Sequence, residues 1–428
     1  MTRRGPITLL VCIVVLAAPV AMAQSQDDRI TALEQKLDQL LRQAEEIRQE
    51  LQQLKPPPSD DLTQVELAPA APPPPPEPAV APVSTETAGA GDVQTVENQV
   101  SPGAAKALNP DISAIGTFLG HAGDLNSIEE RAPAELDEAE LALEAFIDPY
   151  AKGKFFLSFG PEGVDVEEGY AQFIALPFGL TAKAGKIKAT FGKVNTWHTH
   201  TRPWVDQPLM FTHFLGAEGL SDVGVSVSKD IPNPFHTFIE ATGEVYSGNV
   251  DDAFGRVNQN DLFYNAHLKV FRDLTENSNL EAGASWARGT LPAADGLDRG
   301  HNQLSAVDLT YRWKPLSRSI YNSFIARFEG LADRRGDFDR TLYGSYLSGD
   351  YQFAQRWFAG VRLDRADRVL DADRLIDRGV SATLTFWPSE FSQIRGQLRR
   401  TRLGDGPTFN EVLLQLQFAI GAHGAHTF

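Results

Sequence analysis

The sequence predicts an all-β transmembrane barrel of about 16 antiparallel strands, preceded by an N-terminal α-helical coiled coil and a Pro-rich linker. Three observations carry that prediction. From about Asp111 to the end, apolar and polar side chains alternate in segments of roughly ten residues, the two-residue period of a strand with unlike faces. The connections between these segments are alternately short and long. Ahead of them lie a heptad repeat and a run of prolines, neither of which suits a strand.

Taken in order, residues 1–23 read as a secretory signal peptide: Arg3 and Arg4, an apolar run from Ile7 to Val20, then Ala21-Met22-Ala23 before Gln24. The mature chain then begins at Gln24. It lacks cysteine, because Cys12 falls inside the apolar run, so disulfide and thiol chemistry are excluded. No later window reaches the roughly 18 consecutive apolar residues of a membrane helix, which leaves a soluble chain or an inserted barrel. The 39 Lys and Arg stand against 56 Asp and Glu, and loss of Arg3 and Arg4 moves the net charge from −17 to −19. That balance argues against a nucleic-acid partner.

Within residues 24–55, Ile30, Leu33, Leu37, Leu40, Ala44, Ile47, Leu51 and Leu54 keep a 3-4 spacing, the seam of a coiled coil. Leu37 and Leu51 at a, with Ile47 at d, lean toward three or four chains more than two. Residues 56–108 contain "APPPPPEP" and a Gly/Ala/Thr stretch with hardly an aromatic. Such a composition cannot bury a core and forms a stiff, extended linker.

Residues 109–428 form the barrel, with strands predicted near 111–119, 140–147, 154–159, 166–175, 180–188, 220–228, 235–246, 261–271, 279–287, 302–313, 319–329, 341–349, 356–364, 378–386, 392–401 and 410–420. In the last, Val412, Leu414, Leu416, Phe418 and Ile420 share one face while Glu411, Gln415 and Gln417 share the other. A soluble sandwich turns its apolar face inward and uses shorter strands. Long segments with charges at mid-strand fit a membrane barrel, apolar outside and polar within. Short links fall at "DPYAKG", "LPFG", "KDIPNP", "RDLTENS", "KPLSRS", "WPSE" and near Gly349 to Gln355; the longer ones are 120–139, 189–219, 247–260, 288–301, 330–340 and 365–377. Sixteen is an even count that leaves an aqueous lumen, and Tyr150, Trp286, Trp313, Trp357 and Trp387 near strand ends suit interfacial girdles.

With a signal peptide, about sixteen alternating strands and a terminal Phe428, the chain resembles a Gram-negative outer-membrane porin. The nearest types are the phosphate-selective porin O/P type and trimeric porins with an N-terminal periplasmic coiled coil. The resemblance covers residues 109–428 and is architectural. It implies passive diffusion of small solutes or ions without a cofactor, in an outer membrane whose lipid surrounds the barrel. It also implies a homotrimer held through residues 30–54 and the barrel walls, an N-terminal region in the periplasm, and recognition of Phe428 by the barrel-assembly machinery. One departure is that Gly424 to Thr427 separate the clean strand, which stops near Ile420, from Phe428.

"WHTHTRPW", residues 197–204, lies in the third external loop and the longest link, 189–219. In porins that loop folds into the lumen. The resemblance therefore makes it a constriction, with Trp197 and Trp204 packed on the wall and His198, His200, Arg202 and Asp206 facing water, where charge sets selectivity. A rival reading is a zinc-linked uptake protein: His198 and His200 share a face when extended, His213, Asp206 or Glu218 can return as ligands, and His423 with His426 form a second pair. No established zinc spacing is present. Catalysis by His198 with Asp206 or Ser221 lacks a GxSxG element, and a TonB-dependent receptor needs a plug that residues 24–110 cannot supply.

Further lumen charges are Lys183, Lys186, Lys188, Lys193, Arg395 and Arg399, a basic set that favours anions, against Glu140, Glu144, Glu168, Glu240, Glu244 and Asp364. The two sets can equally form internal ion pairs that stiffen the wall. A non-transport alternative is an envelope tether in which the coiled coil binds cell-wall material and the barrel only anchors it.

Overall fold

The computed structural model describes residues 110–421 apart from 125–132, 162, 251–252, 257, 292–299, 337–339 and 369–373. The signal peptide, coiled coil and linker, and also His423, His426 and Phe428, lie outside the described residues. Sixteen strands follow in chain order: β1 (Asp111–Gly123), β2 (Ala134–Asp148), β3 (Ala151–Gly160), β4 (Gly163–Leu176), β5 (Leu180–Lys188), β6 (Ser221–Asp230), β7 (Phe238–Tyr246), β8 (Phe263–Thr275), β9 (Ser278–Thr290), β10 (His301–Trp313), β11 (Ser323–Arg335), β12 (Arg340–Ala354), β13 (Trp357–Asp367), β14 (Ile376–Ser389), β15 (Ser392–Arg402) and β16 (Thr408–Gly421). Each pairs antiparallel with its chain neighbours, and β1 closes on β16 with Phe118 opposite Leu416. Closure leaves no sheet edge unpaired, as a membrane interior requires.

Alternation decides which face meets lipid. On β16, Val412 and Leu414 are 52% and 55% exposed while Glu411 and Gln415 are 5% and 1% exposed. The same split puts Val223 and Val225, Leu347, Val361 and Leu363 on the outside, and Asp222, Thr383 and Gln397 inside. A continuous apolar outer belt with a polar inner wall is the signature of a membrane barrel. Tyr150, Phe178, Phe235, Tyr321 and Tyr351 are exposed at the rim of short turns, where amphipathic rings suit the membrane interface. No helix among the described residues is long and apolar enough to cross a membrane.

The strands run longer than the period-two pattern indicates, and β2 shows why. It starts at Ala134, six residues before the predicted 140, because the register shifts so that Thr117 faces Glu138 and Phe118 faces Leu136. Asp137 is therefore the extra residue of a β-bulge. A bulge breaks strict alternation, and a pattern search stops there.

Candidate functional site

A second bulge builds the site. Between β3 and β4, Phe156 faces Glu168 while Leu157 faces Val166, which makes Glu167 the extra residue. Two adjacent carboxylates, Glu167 and Glu168, are consequently both buried on the inner wall. The long connection 189–220 between β5 and β6 folds against that wall and is anchored to it in three places.

The first anchor is its start. Gly192 donates its N–H to Ser285 Oγ (2.8 Å) and Val194 to Glu329 Oε2 (3.2 Å); the Lys193 ammonium pairs with Glu281, and Glu244 accepts from both the N–H and the hydroxyl of Thr190 (2.9 Å each). Gly192 has φ +59°, and a Cβ there would collide with the Glu329 carboxylate. Gly192→Ala is therefore expected to destabilise the loop's start by about 1–3 kcal/mol, visible as faster proteolytic cleavage within 189–220 than in the parent protein.

The second anchor is His198. Its Nδ1 stands 2.6 Å from Glu167 Oε2 and 3.0 Å from Glu140 Oε2, and its Nε2 lies 3.1 Å from Glu168 Oε2. His200 stacks on it with ring centroids 5.8 Å apart and places Nδ1 3.3 Å from the same Glu140 oxygen. Lys188 reaches Glu167 Oε1 and the Trp197 carbonyl, both at 3.4 Å. Burial pulls the His198 pKa down, but the surrounding carboxylates of Glu140, Glu167 and Glu168 outweigh it and leave the imidazole well above its ordinary value.

The third anchor is Asp206. Arg362, 1% exposed, donates through Nη2 to both Asp206 oxygens at 2.9 Å and through Nε to Asp364 Oδ2 at 2.8 Å; Arg399 adds a contact of 2.8 Å, and Gln397 a further hydrogen bond. Burial raises the Asp206 pKa, yet the two guanidinium groups outweigh it and bring it to about 2. Arg395 donates to the Arg202 carbonyl at 2.8 Å.

Apolar side chains join the anchors. Trp204 packs edge-on against Tyr346 at 5.1 Å and beneath the Arg362 guanidinium at 4.8 Å. Helix α1 (Leu209–Leu215) ends at Gly216, φ +77°, and buries Met210, Phe211, Phe214 and Leu215, continuous with Phe191, Val194, Tyr246, Phe254, Phe263, Leu304, Leu331 and Leu342. The inner wall thus carries an apolar core at the depth of the loop, where the sequence predicts only polar residues and water. The expectation that His198, His200, Arg202 and Asp206 face water is likewise corrected. His200 is buried, the others are half-buried, and Arg202 sits in the electrostatic field of Glu138, Glu167 and Asp137.

The other predicted positions divide. His213 does not join His198: its ring meets the Asp367 carbonyl (3.3 Å) and Asp377 (3.6 Å), and Glu218 is exposed. Lys183 lies over the Tyr170 ring at 5.2 Å, but Lys186 sits opposite the outward Val223, because residues three apart on one strand take opposite faces. It pairs instead with Asp165 at 2.9 Å. Glu240 pairs with Lys269 (3.3 Å), Arg399 with Glu411, and Glu144 with Lys152 and Lys154 (3.2 and 3.0 Å). The wall charges form acid–base pairs, not a basic ladder.

No family model matches the chain. A relative 29% identical over 395 residues, covering 77% of this chain and 82% of its own length, is an uncharacterized protein of Aquifex aeolicus (strain VF5). Among solved structures, the anion-selective porin from Comamonas acidovorans aligns with TM-score 0.52 and 12% identity over 73% of this chain and 99% of that one. The fold is that of an outer-membrane porin. The porin fold is shared with Pseudomonas putida OprB in its high-pH structure (TM-score 0.51, 10% identity, 73% and 94% covered) and with the trimer form of OmpT, an outer membrane protein of Vibrio cholerae (0.51, 10%, 73% and 99%).

Proposed function

We propose that the protein is a passive outer-membrane porin whose diffusion path is narrowed by residues 189–220. The observation that supports this reading is the anchoring of that connection across the barrel interior, from Glu281 and Glu329 on β9 and β11 to Glu140 and Glu167 on β2 and β4, about half-way round the closed barrel. Anchors on both sides hold the segment within the lumen, and confined charge then acts on passing ions with weak screening. Because Lys152, Lys154, Lys269 and Arg327 each face a carboxylate, the reading assigns weak ion preference and does not extend to phosphate selectivity. Assembly as a homotrimer through residues 30–54, with the N-terminal region in the periplasm and Phe428 as the assembly signal, belongs to the same proposal.

Single-channel recording of the refolded chain in planar bilayers tests it. Openings in steps of three with a reversal potential close to zero in a salt gradient are expected, and deletion of residues 24–108 should leave conduction intact. A folded barrel that opens no channel refutes transport and favours an anchor for an envelope tether.

A further inference from the structure

The geometry points to a divalent transition-metal site formed by His198 Nδ1, Glu140 Oε2 and Glu167 Oε2, with Glu168 as the residue that orients the imidazole. Each of the three offers one ligand atom, and these atoms all lie within 4.8 Å of one another. Donors around a tetrahedral ion with bonds of about 2.1 Å stand roughly 3.4 Å apart, whereas Nδ1 lies 2.6 and 3.0 Å from the two carboxylate oxygens, so the imidazole must draw back from them slightly to admit one.

Hydrogen bonding alone satisfies this cluster poorly. A single Nδ1–H can point at one acceptor, yet two carboxylate oxygens converge on it at 2.6 and 3.0 Å. Glu140, 3% exposed, leaves its Oε2 without a hydrogen bond of proper geometry. A cation between the three atoms meets all of them at once. The other face of the ring is already arranged for that role. Glu168 Oε2 stands 3.1 Å from Nε2 and accepts a hydrogen bond from Nε2–H, so that Nδ1 presents its lone pair when an ion displaces the Nδ1 proton, the arrangement seen behind most metal-bound histidines. Lys188 occupies the second oxygen of Glu167, so Oε2 is the one that faces the ion. Two carboxylates balance a dication, and one nitrogen with two oxygens suits the borderline ions of the zinc type better than magnesium or calcium, which prefer all-oxygen shells.

The site ties connection 189–220 to β2 and β4 and is independent of the transport reading, since binding is read without conduction. It differs from the sequence expectation in its ligands: His213 takes no part, while Glu140 and Glu167 do.

Zinc chloride titrated calorimetrically into the full chain, refolded in detergent and stripped with a chelator, tests the site. One zinc per chain is expected, with magnesium giving no saturable heat. His198→Ala and Glu167→Gln should each lower affinity at least 100-fold, and Glu168→Gln by about 10–100-fold at unchanged stoichiometry. If the first two variants do not fold, Glu168→Gln alone decides, because unchanged affinity there overturns the assignment. No saturable binding, or binding that survives His198→Ala but disappears in a His423→Ala, His426→Ala chain, also overturns it.

Discussion

Replacing Asp206 by asparagine is expected to release the second half of connection 189–220 from the wall and to raise single-channel conductance. Asp206 is the loop carboxylate that Arg362 and Arg399 share on one stretch of the inner wall, and Gln397 donates to it as well. Its removal leaves Arg362, 1% exposed, paired only with Asp364. Arg399 likewise keeps Glu411, so neither charge is left bare, and the expected loss is about 2–3 kcal/mol, short of the full cost of orphaning a buried charge. The pH dependence follows from the lowered pKa. A carboxylate at about 2 in the folded protein, against about 3.9 unfolded, contributes about 2–3 kcal/mol that is essentially complete above about pH 4 and fades as the pH falls through about 2. The guanidinium groups facing it do not titrate in that range. Conductance of the parent protein should therefore rise on acidification below pH 4, while the Asp206→Asn protein should begin high and vary less. Equal conductance of the two at neutral pH would show that Asp206 does not hold the loop.

The sequence makes the wall legible and hides the corners. Sixteen strands are readable because each repeats the choice between lipid and lumen every second residue, as in Val412 to Ile420. The same rule marks Glu140 and Glu168 as inward. It cannot reveal Glu167, since strict alternation turns that residue outward and only the bulge opposite Phe156 and Leu157 turns it in. Asp137 is hidden in the same way. The place of "WHTHTRPW" in the longest connection is legible from loop lengths, whereas its pairing is not. Loop residues of mixed charge suggest hydration, and their partners Arg362, Arg395 and Arg399 lie more than 150 residues away in sequence. Leu209 to Leu215 carry a weak signal that could have been used: Met210, Phe211, Phe214 and Leu215 follow the spacing of one helical face, and a loop wholly exposed to water has no use for such a face.

Trp204→Ala should release the same connection by a route that does not depend on charge. Trp204 is 1% exposed, wedged among Trp197, Tyr346 and Arg362. Its Nε1 makes no hydrogen bond, so its contribution is packing alone. Truncating a buried tryptophan costs about 3–5 kcal/mol through lost transfer energy and the cavity left behind. Trp204→Phe keeps an aromatic face for Tyr346 and Arg362 and gives up only the unpartnered N–H and part of the volume, a loss of about 1–2 kcal/mol. Cleavage within 189–220 and channel conductance should both increase in the order parent, Trp204→Phe, Trp204→Ala. The Trp204→Ala protein should still open further on acidification below pH 4, unlike Asp206→Asn, because its Asp206 carboxylate remains to be protonated. Trp204 and Asp206 share Arg362 as a partner and so couple, and the double variant should cost less than the two single changes added together. Strict additivity would mean that packing and charge hold separate parts of the loop, and the continuous cluster from Trp204 to Arg362 would then not act as one anchor.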